Sequence, residues 1–225
     1  MIRTVTTLFI LWQGYSFGVG TYHTVKSHGS GEYIENGSRF IAQAKMIASR
    51  QEANIFFKEV CESMSGASHN VTAYVIGISG MESNSNDDGE PAGCAGAPIL
   101  DMLRSEGLID IAIVVSRFFG GRKLGIGGLV RAYTRAAKEA INSAGIIVLA
   151  PRQAISVKTG YDLMPKMENM LISKGCSVVE KTHGKVPTYK FLCDIGQIDE
   201  ITSSVNKISK NEDSMELLSI VYVPD

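Results

Sequence analysis

Hydrophobic and polar positions change period several times along the chain, and each change marks an element. Residues 22–26 and 31–35 read as strands around a Gly-Ser-Gly turn. Asn36-Gly37 is a hairpin signal, because both residues tolerate positive φ. The next stretch, 38–46, alternates with Phe40, Ala42 and Ala44 on one face. Residues 51–65 carry Ile55, Phe56, Val60 and Met64 at helical spacing, and Gly66 stops them. Residues 71–78 alternate again and are β-branched. A polar, glycine-bearing loop is expected over 82–96. A short helix comes next over 98–106, with Gly107 as its cap.

Residues 109–119 form a nearly continuous apolar run, the pattern of a central strand covered on both faces. A second glycine-rich loop occupies 120–128. The strongest helix signal in the chain lies over 129–144, where Leu129, Ala132, Tyr133, Ala136, Ala140 and Ile141 form one stripe. After 146–149 comes Pro151, and beyond it the pattern is strand 154–158, helix 165–174, strands 176–182 and 186–194, helix 197–206 and strand 215–223. That order, β-α-β-β-α-β, is the ferredoxin-like one. The expected fold class is α+β in two domains. An amino-terminal α/β domain covers 21–150 and a carboxy-terminal domain covers 151–225, with the boundary at Pro151.

Composition narrows the classes. The chain has 225 residues, 44% apolar and 20% charged, which is ordinary globular usage. Its formal net charge of −1 excludes a histone-like binder but leaves room for a local basic patch. No run approaches the ~20 apolar residues that span a bilayer, so no membrane association is expected. Four cysteines without a C-x-x-C pair point to a reduced, cytoplasmic chain without a zinc site or disulfide framework. Residues 1–20 fit poorly with the rest of the chain. They resemble a signal peptide only faintly, with Thr6 and Thr7 interrupting the apolar segment and no A-x-A-like site after it. The expectation is a start assigned too far upstream, with Val19 as the true initiation codon.

The chemistry concentrates in the two glycine loops. The first reads D-D-G-E-P-A-G-C-A-G over 87–96. The second runs R-F-F-G-G-R-K-L-G-I-G-G-L-V-R-A-Y over 117–133. Each precedes a helix, whose free N–H groups favour an anion, and glycine lets a ligand approach closely. Charge is segregated: from 82 to 110 Arg104 is the only cation, and from 111 to 138 there is no acid. Arg131, Arg135 and Lys138 recur at i, i+4 and i+7 and share a helix face. The expected anion or nucleic-acid site is Arg117, Gly120, Gly121, Arg122, Lys123, Gly125, Gly127, Gly128, Arg131 and Arg135. The plainer reading is a solvated helix face.

Neither loop has Walker A or Rossmann spacing, and no cofactor is expected. Asp87, Asp88 and Glu90 have the oxygen donors of a divalent-cation site, although such a cluster more often solvates a loop. Cys94, just ahead of a helix, could gain thiolate character but has no histidine placed beside it by sequence. His69 reads as a structural hydrogen-bonder. Phe118 and Phe119 could offer one ring for base stacking.

G-S-R-F-I-A at 37–42, S-H-N-V-T-A-Y at 68–74, D-D-G-E-P-A-G-C-A-G-A-P at 87–98 and the run 117–133 resemble the YigZ/IMPACT family over residues 20–225. The resemblance implies a first domain akin to a ribosomal-protein fold also found in elongation factor G, and a ferredoxin-like second domain. Eukaryotic members regulate translation by restraining a starvation-responsive kinase. That role is not expected to carry over, because the chain reads as bacterial and no counterpart of the extra amino-terminal domain of eukaryotic members is expected. Cys94 stands where members commonly have Thr or Ser, which counts against an essential hydroxyl. The function expected is a non-enzymatic, translation-associated protein that binds RNA, the ribosome or a translation factor. The rivals are an enzyme acting on a phosphorylated small molecule through the acidic loop, and a protein-binding adaptor that uses that loop as its epitope.

Overall fold

The computed structural model describes residues 20–77, 80–211 and 214–225. The expectation for residues 1–19 lies outside them. The chain divides into two compact units, Tyr22–Leu149 and Ala150–Asp225. No helix among the described residues is long and apolar enough to cross a membrane.

The first unit is built on one antiparallel sheet. Its strands are β2 (Gly29–Glu35), β3 (Ser38–Met46), β4 (His69–Ile76), β5 (Glu82–Asn86) and β6 (Ile111–Phe118), in the order β2-β3-β6-β4-β5. Asn36 and Gly37, both at positive φ, turn β2 into β3. β1 (Tyr22–Val25) instead pairs with the opening residues of β7 (Ile146–Lys158), Tyr22 opposite Leu149.

The central strand β6 explains its own sequence. Ile111, Ile113 and Val115 face α2 (Gly96–Ser105) and α3 (Gly125–Ala144), joining Phe40, Ala42, Val71, Ile99, Leu103 and Tyr133 in the main core. Ala112 and Val114 face the other way, under α1 (Arg50–Ser63), against Ala53, Phe56 and Val60. With helices on both sides, both parities must be apolar. α1 starts on a reciprocal cap: Ser49 Oγ accepts from the Glu52 N–H, and the Glu52 carboxylate accepts from the Ala48 N–H.

α3 lies very close to β2. A Cβ placed on Gly29 would sit 2.2 Å from the Ala140 carbonyl oxygen, and one on Gly31 would sit 2.4 Å from the Ala140 nitrogen. Only glycine permits helix and strand backbones to approach this far.

The second unit contains the rest of β7, then α4 (Met164–Ser173), β8 (Ser177–Thr182), β9 (Thr188–Asp194), α5 (Ile198–Ser209) and β10 (Met215–Pro224). A single 3-10 turn precedes α5. The strands lie in the order β8-β9-β7-β10, with β9 antiparallel to both β7 and β8. Its core gathers Ile155, Val157, Met167, Leu171, Phe191, Ile201 and Val205.

Three local expectations differ from the structure. The loop expected over 82–96 contains β5, a strand of Glu, Ser and Asn that exists because it borders β4. α3 begins at Gly125, inside the expected loop. β7 runs as one strand from Ile146 through Pro151 to Lys158, where a strand was expected only over 154–158.

Candidate functional site

The two glycine loops treat charge in opposite ways. In the first, Asp87 takes the role of helix cap from eight and nine residues upstream. Its carboxylate accepts from the N–H groups of Ala95 (3.1 Å) and Gly96 (2.7 Å), donors that α2 leaves unpaired at its start, and from the Gly93 N–H (2.8 Å) in the turn before them. Asp88 accepts from the Asn70 N–H at 2.6 Å, and its carbonyl lies 2.7 Å from His69 Nδ1. His69 is therefore a structural partner of the loop. Glu90 is buried, and its Oε1 accepts from Arg117 Nη1 at 2.6 Å and from the Tyr133 hydroxyl at 2.7 Å. Each acid of the divalent-cation candidate thus already holds a protein donor. Among the described residues no three His, Cys, Asp or Glu side chains form a metal-sized group.

Cys94 lies in the same core. Burial, then the nearby Glu90 and Asp87 carboxylates, push its thiol pKa up, which keeps it protonated and unreactive. The thiolate character suggested by its place before a helix is absent, because burial and the neighbouring carboxylates disfavour the charged form. Tyr133 is likewise held in its neutral, donating form, its pKa raised by burial and by the hydrogen bond to Glu90.

Arg117 is a correction to the expected exposed set. It falls on the same side of β6 as Ile111, Ile113 and Val115, and only 7% of its side chain is exposed. Its guanidinium lies between the Phe40 ring (5.5 Å) and the Phe119 ring (5.4 Å). It anchors the first loop to the central strand and offers nothing to the surface.

The second loop opens outward. Gly120 is explained by packing: a Cβ there would lie 1.9 Å from the Gly37 carbonyl carbon, so the loop base rests directly on the β2–β3 turn. Gly128 is buried in α3. Gly121 and Gly125 hold positive φ in open space, and nothing but Arg131 approaches Gly127. No side chain caps α3 and its first turn has no acid. Arg122, Lys123 and Arg131 are exposed and make no ion pair or side-chain hydrogen bond among the described residues. Arg131 reaches back toward the first turn, its Nη1 3.6 Å from where a Gly127 Cβ would stand.

One turn further along, Arg135 donates to the Tyr33 hydroxyl at 3.0 Å and stacks over that ring. Lys138 is tied to Glu106 at 2.9 Å. The positive patch is therefore narrower than the sequence suggests, comprising Arg122, Lys123 and Arg131 at the helix start with Arg135 on its flank. Two apolar side chains, Phe119 and Ile126, are exposed beside it.

The chain is similar to known proteins. Residues 36–141 match the Impact N-terminal domain, a span that contains both glycine loops. The chain is 39% identical over 151 residues to the IMPACT family member YvyE of Bacillus subtilis (strain 168), covering 67% of this chain and 70% of that one. It is 27% identical over 185 residues to the IMPACT family member YigZ of Escherichia coli (strain K12), covering 81% and 90% respectively. A solved crystal structure of a hypothetical protein superimposes with a TM-score of 0.62 over 90% of this chain and 98% of that chain, at 24% identity, and so has the same fold. With this much of YvyE matched at this identity, the chain belongs to the YigZ/IMPACT family.

Proposed function

We propose that this protein is a non-enzymatic, cytoplasmic, translation-associated factor that holds RNA phosphates, free or on the ribosome, at the start of α3. The observation that carries the reading is the set Arg122, Lys123 and Arg131, exposed and without a side-chain partner among the described residues, around a helix terminus with neither cap nor acid. Guanidinium and ammonium groups there join backbone N–H donors that favour an oxyanion. Gly121, Gly125 and Gly127 leave that approach open. Family membership supports the link to translation, through the ribosomal-protein-like first domain that the family resemblance implies.

The occupied carboxylates of Asp87, Asp88 and Glu90 weigh against the rival enzyme with a metal in the acidic loop. We also infer that 21–150 and 151–225 are separate domains and that the second is ferredoxin-like, a reading supported by its strand order β8-β9-β7-β10.

The test is ribosome and RNA binding across a salt series with the wild type and with Arg122→Glu plus Arg131→Glu. The wild type is expected to bind with a steep salt dependence, because phosphate neutralisation releases counterions. The double variant is expected to lose most affinity and to flatten the slope of log K against log salt by roughly 1.5–2, one phosphate per cation removed. Unchanged affinity at moderate salt would overturn the reading.

A further inference from the structure

The second unit holds a pair of thiols that the proposed surface does not use. Cys176 sits just ahead of β8 and Cys193 near the end of β9. The antiparallel register pairs Ser177 with Leu192 and Val178 with Phe191. Continued by one residue, it places Cys176 directly opposite Cys193. Directly opposed residues point to the same face, and both side chains lie in the same core, among Leu171, Tyr189 and Phe191. Each thiol is near enough to shift the ionisation of the other. Opposed Cα atoms in such a ladder are roughly 4.5–5.5 Å apart, inside the window a disulfide spans. Both are free thiols.

We propose that Cys176 and Cys193 form a redox pair, which a hydroperoxide closes into a cross-strand disulfide. The two thiols are not equivalent. Cys176 is 4% exposed and Cys193 fully buried, so a small oxidant meets Cys176 first. The neighbouring Cys193 thiol lowers the Cys176 pKa, burial opposes the shift and Lys174 adds to the lowering, whereas the same pairing and burial raise the pKa of Cys193 and hold it protonated. Cys176 is thus the attacking group and Cys193 the resolving one.

In the first step the Cys176 thiolate attacks one peroxide oxygen. The O–O bond breaks, an S–O bond forms, and the departing alkoxide or hydroxide takes a proton. In the second, the Cys193 sulfur attacks the Cys176 sulfur, the S–O bond breaks, and the leaving hydroxide takes the Cys193 proton as water. Two thiols and one hydroperoxide give one disulfide, one alcohol (water, for hydrogen peroxide) and one water. The sulfurs lose two electrons and the peroxide gains them. The product ties the entry of β8 to the end of β9 and closes a loop around their connecting turn. A thiol-disulfide reductant reverses it.

The experiment treats the full chain with a small excess of hydrogen peroxide, blocks remaining thiols, and reads intact mass and a peptide map. The expected product is two hydrogens lighter, carries a Cys176–Cys193 linked peptide, and reverts with dithiothreitol. Amide exchange in β8 and β9 should slow in the oxidised form. Cys193→Ser should stop at a Cys176 sulfenic acid that dimedone traps, and Cys176→Ser should yield no linked peptide. Cys61, partly exposed and alone, serves as the internal control. The proposal is overturned if Cys61 oxidises while the wild-type pair stays fully alkylatable, or if Cys176 reaches sulfenic acid in the wild type without linking. Should either serine variant fail to fold, the wild-type peptide map decides by itself.

Discussion

The loops at 87–96 and 117–128 have similar composition and opposite economies of charge. Both are rich in glycine and both lead into a helix. In the first, the aspartates and the glutamate are matched by N–H groups, a phenol and a buried guanidinium supplied by the fold itself. In the second, three cations face solvent with no acid among the described residues to meet them, and the helix start behind them is uncapped. A glycine loop beside a helix is thus not an anion site by composition. Under the proposed function it becomes one only where the fold withholds the internal acceptor. α2 receives Asp87 as its cap; α3 receives none.

That contrast can be broken most forcefully at its link, the buried ion pair. Arg117→Met leaves the Glu90 carboxylate buried without its charge partner and should cost about 3–5 kcal/mol in urea unfolding, whereas Arg117→Met with Glu90→Leu should recover much of the loss. A single-variant cost well under this would mean the first loop is not built around that pair. Asp87→Ala removes the acceptor for three backbone donors and should destabilise by about 2–3 kcal/mol, read as a lower melting temperature with no loss of RNA affinity in the folded fraction.

Gly120→Ala pushes a methyl group into the Gly37 backbone and should cost about 1–3 kcal/mol; an unchanged urea midpoint would show that the loop base can shift. Smallest in stability, and sharpest for function, is Arg122→Glu with Arg131→Glu. Its unfolding free energy should stay within about 0.5 kcal/mol of wild type while binding is lost, since neither side chain holds an ion pair that a reversed charge would disturb.

Much of the fold was legible because period reports burial. The two-sided apolar run of β6, the α3 stripe and the β-α-β-β-α-β order of the second unit all came from it. β5 was hidden because Asn and Glu are poor strand formers, and pairing with β4 overrides that preference. The helical start at Gly125 was hidden by glycine's low helix propensity.

Within the site, Arg122, Lys123 and Arg131 stand as exposed cations. Arg117 does not, although its parity with Ile113 and Val115 was readable and pointed inward. The Asp87 cap could not be read, because its donors are six to nine residues away and meet it only through the curvature of the loop. Exposure and pairing are properties of three-dimensional neighbours, which charge counts along a chain do not record.

The glycines at 29 and 31 have a further consequence for α3. They are the floor on which the cation-bearing helix rests, and a single hydrogen atom at each is the spacer. Adding a methyl group at either position would lift the helix off the strand and swing its free end, so the spacing of Arg122, Lys123 and Arg131 is gauged by two residues that never meet a ligand. Substitutions far from the patch, on a strand that carries none of its charges, should therefore detune it as surely as those within it.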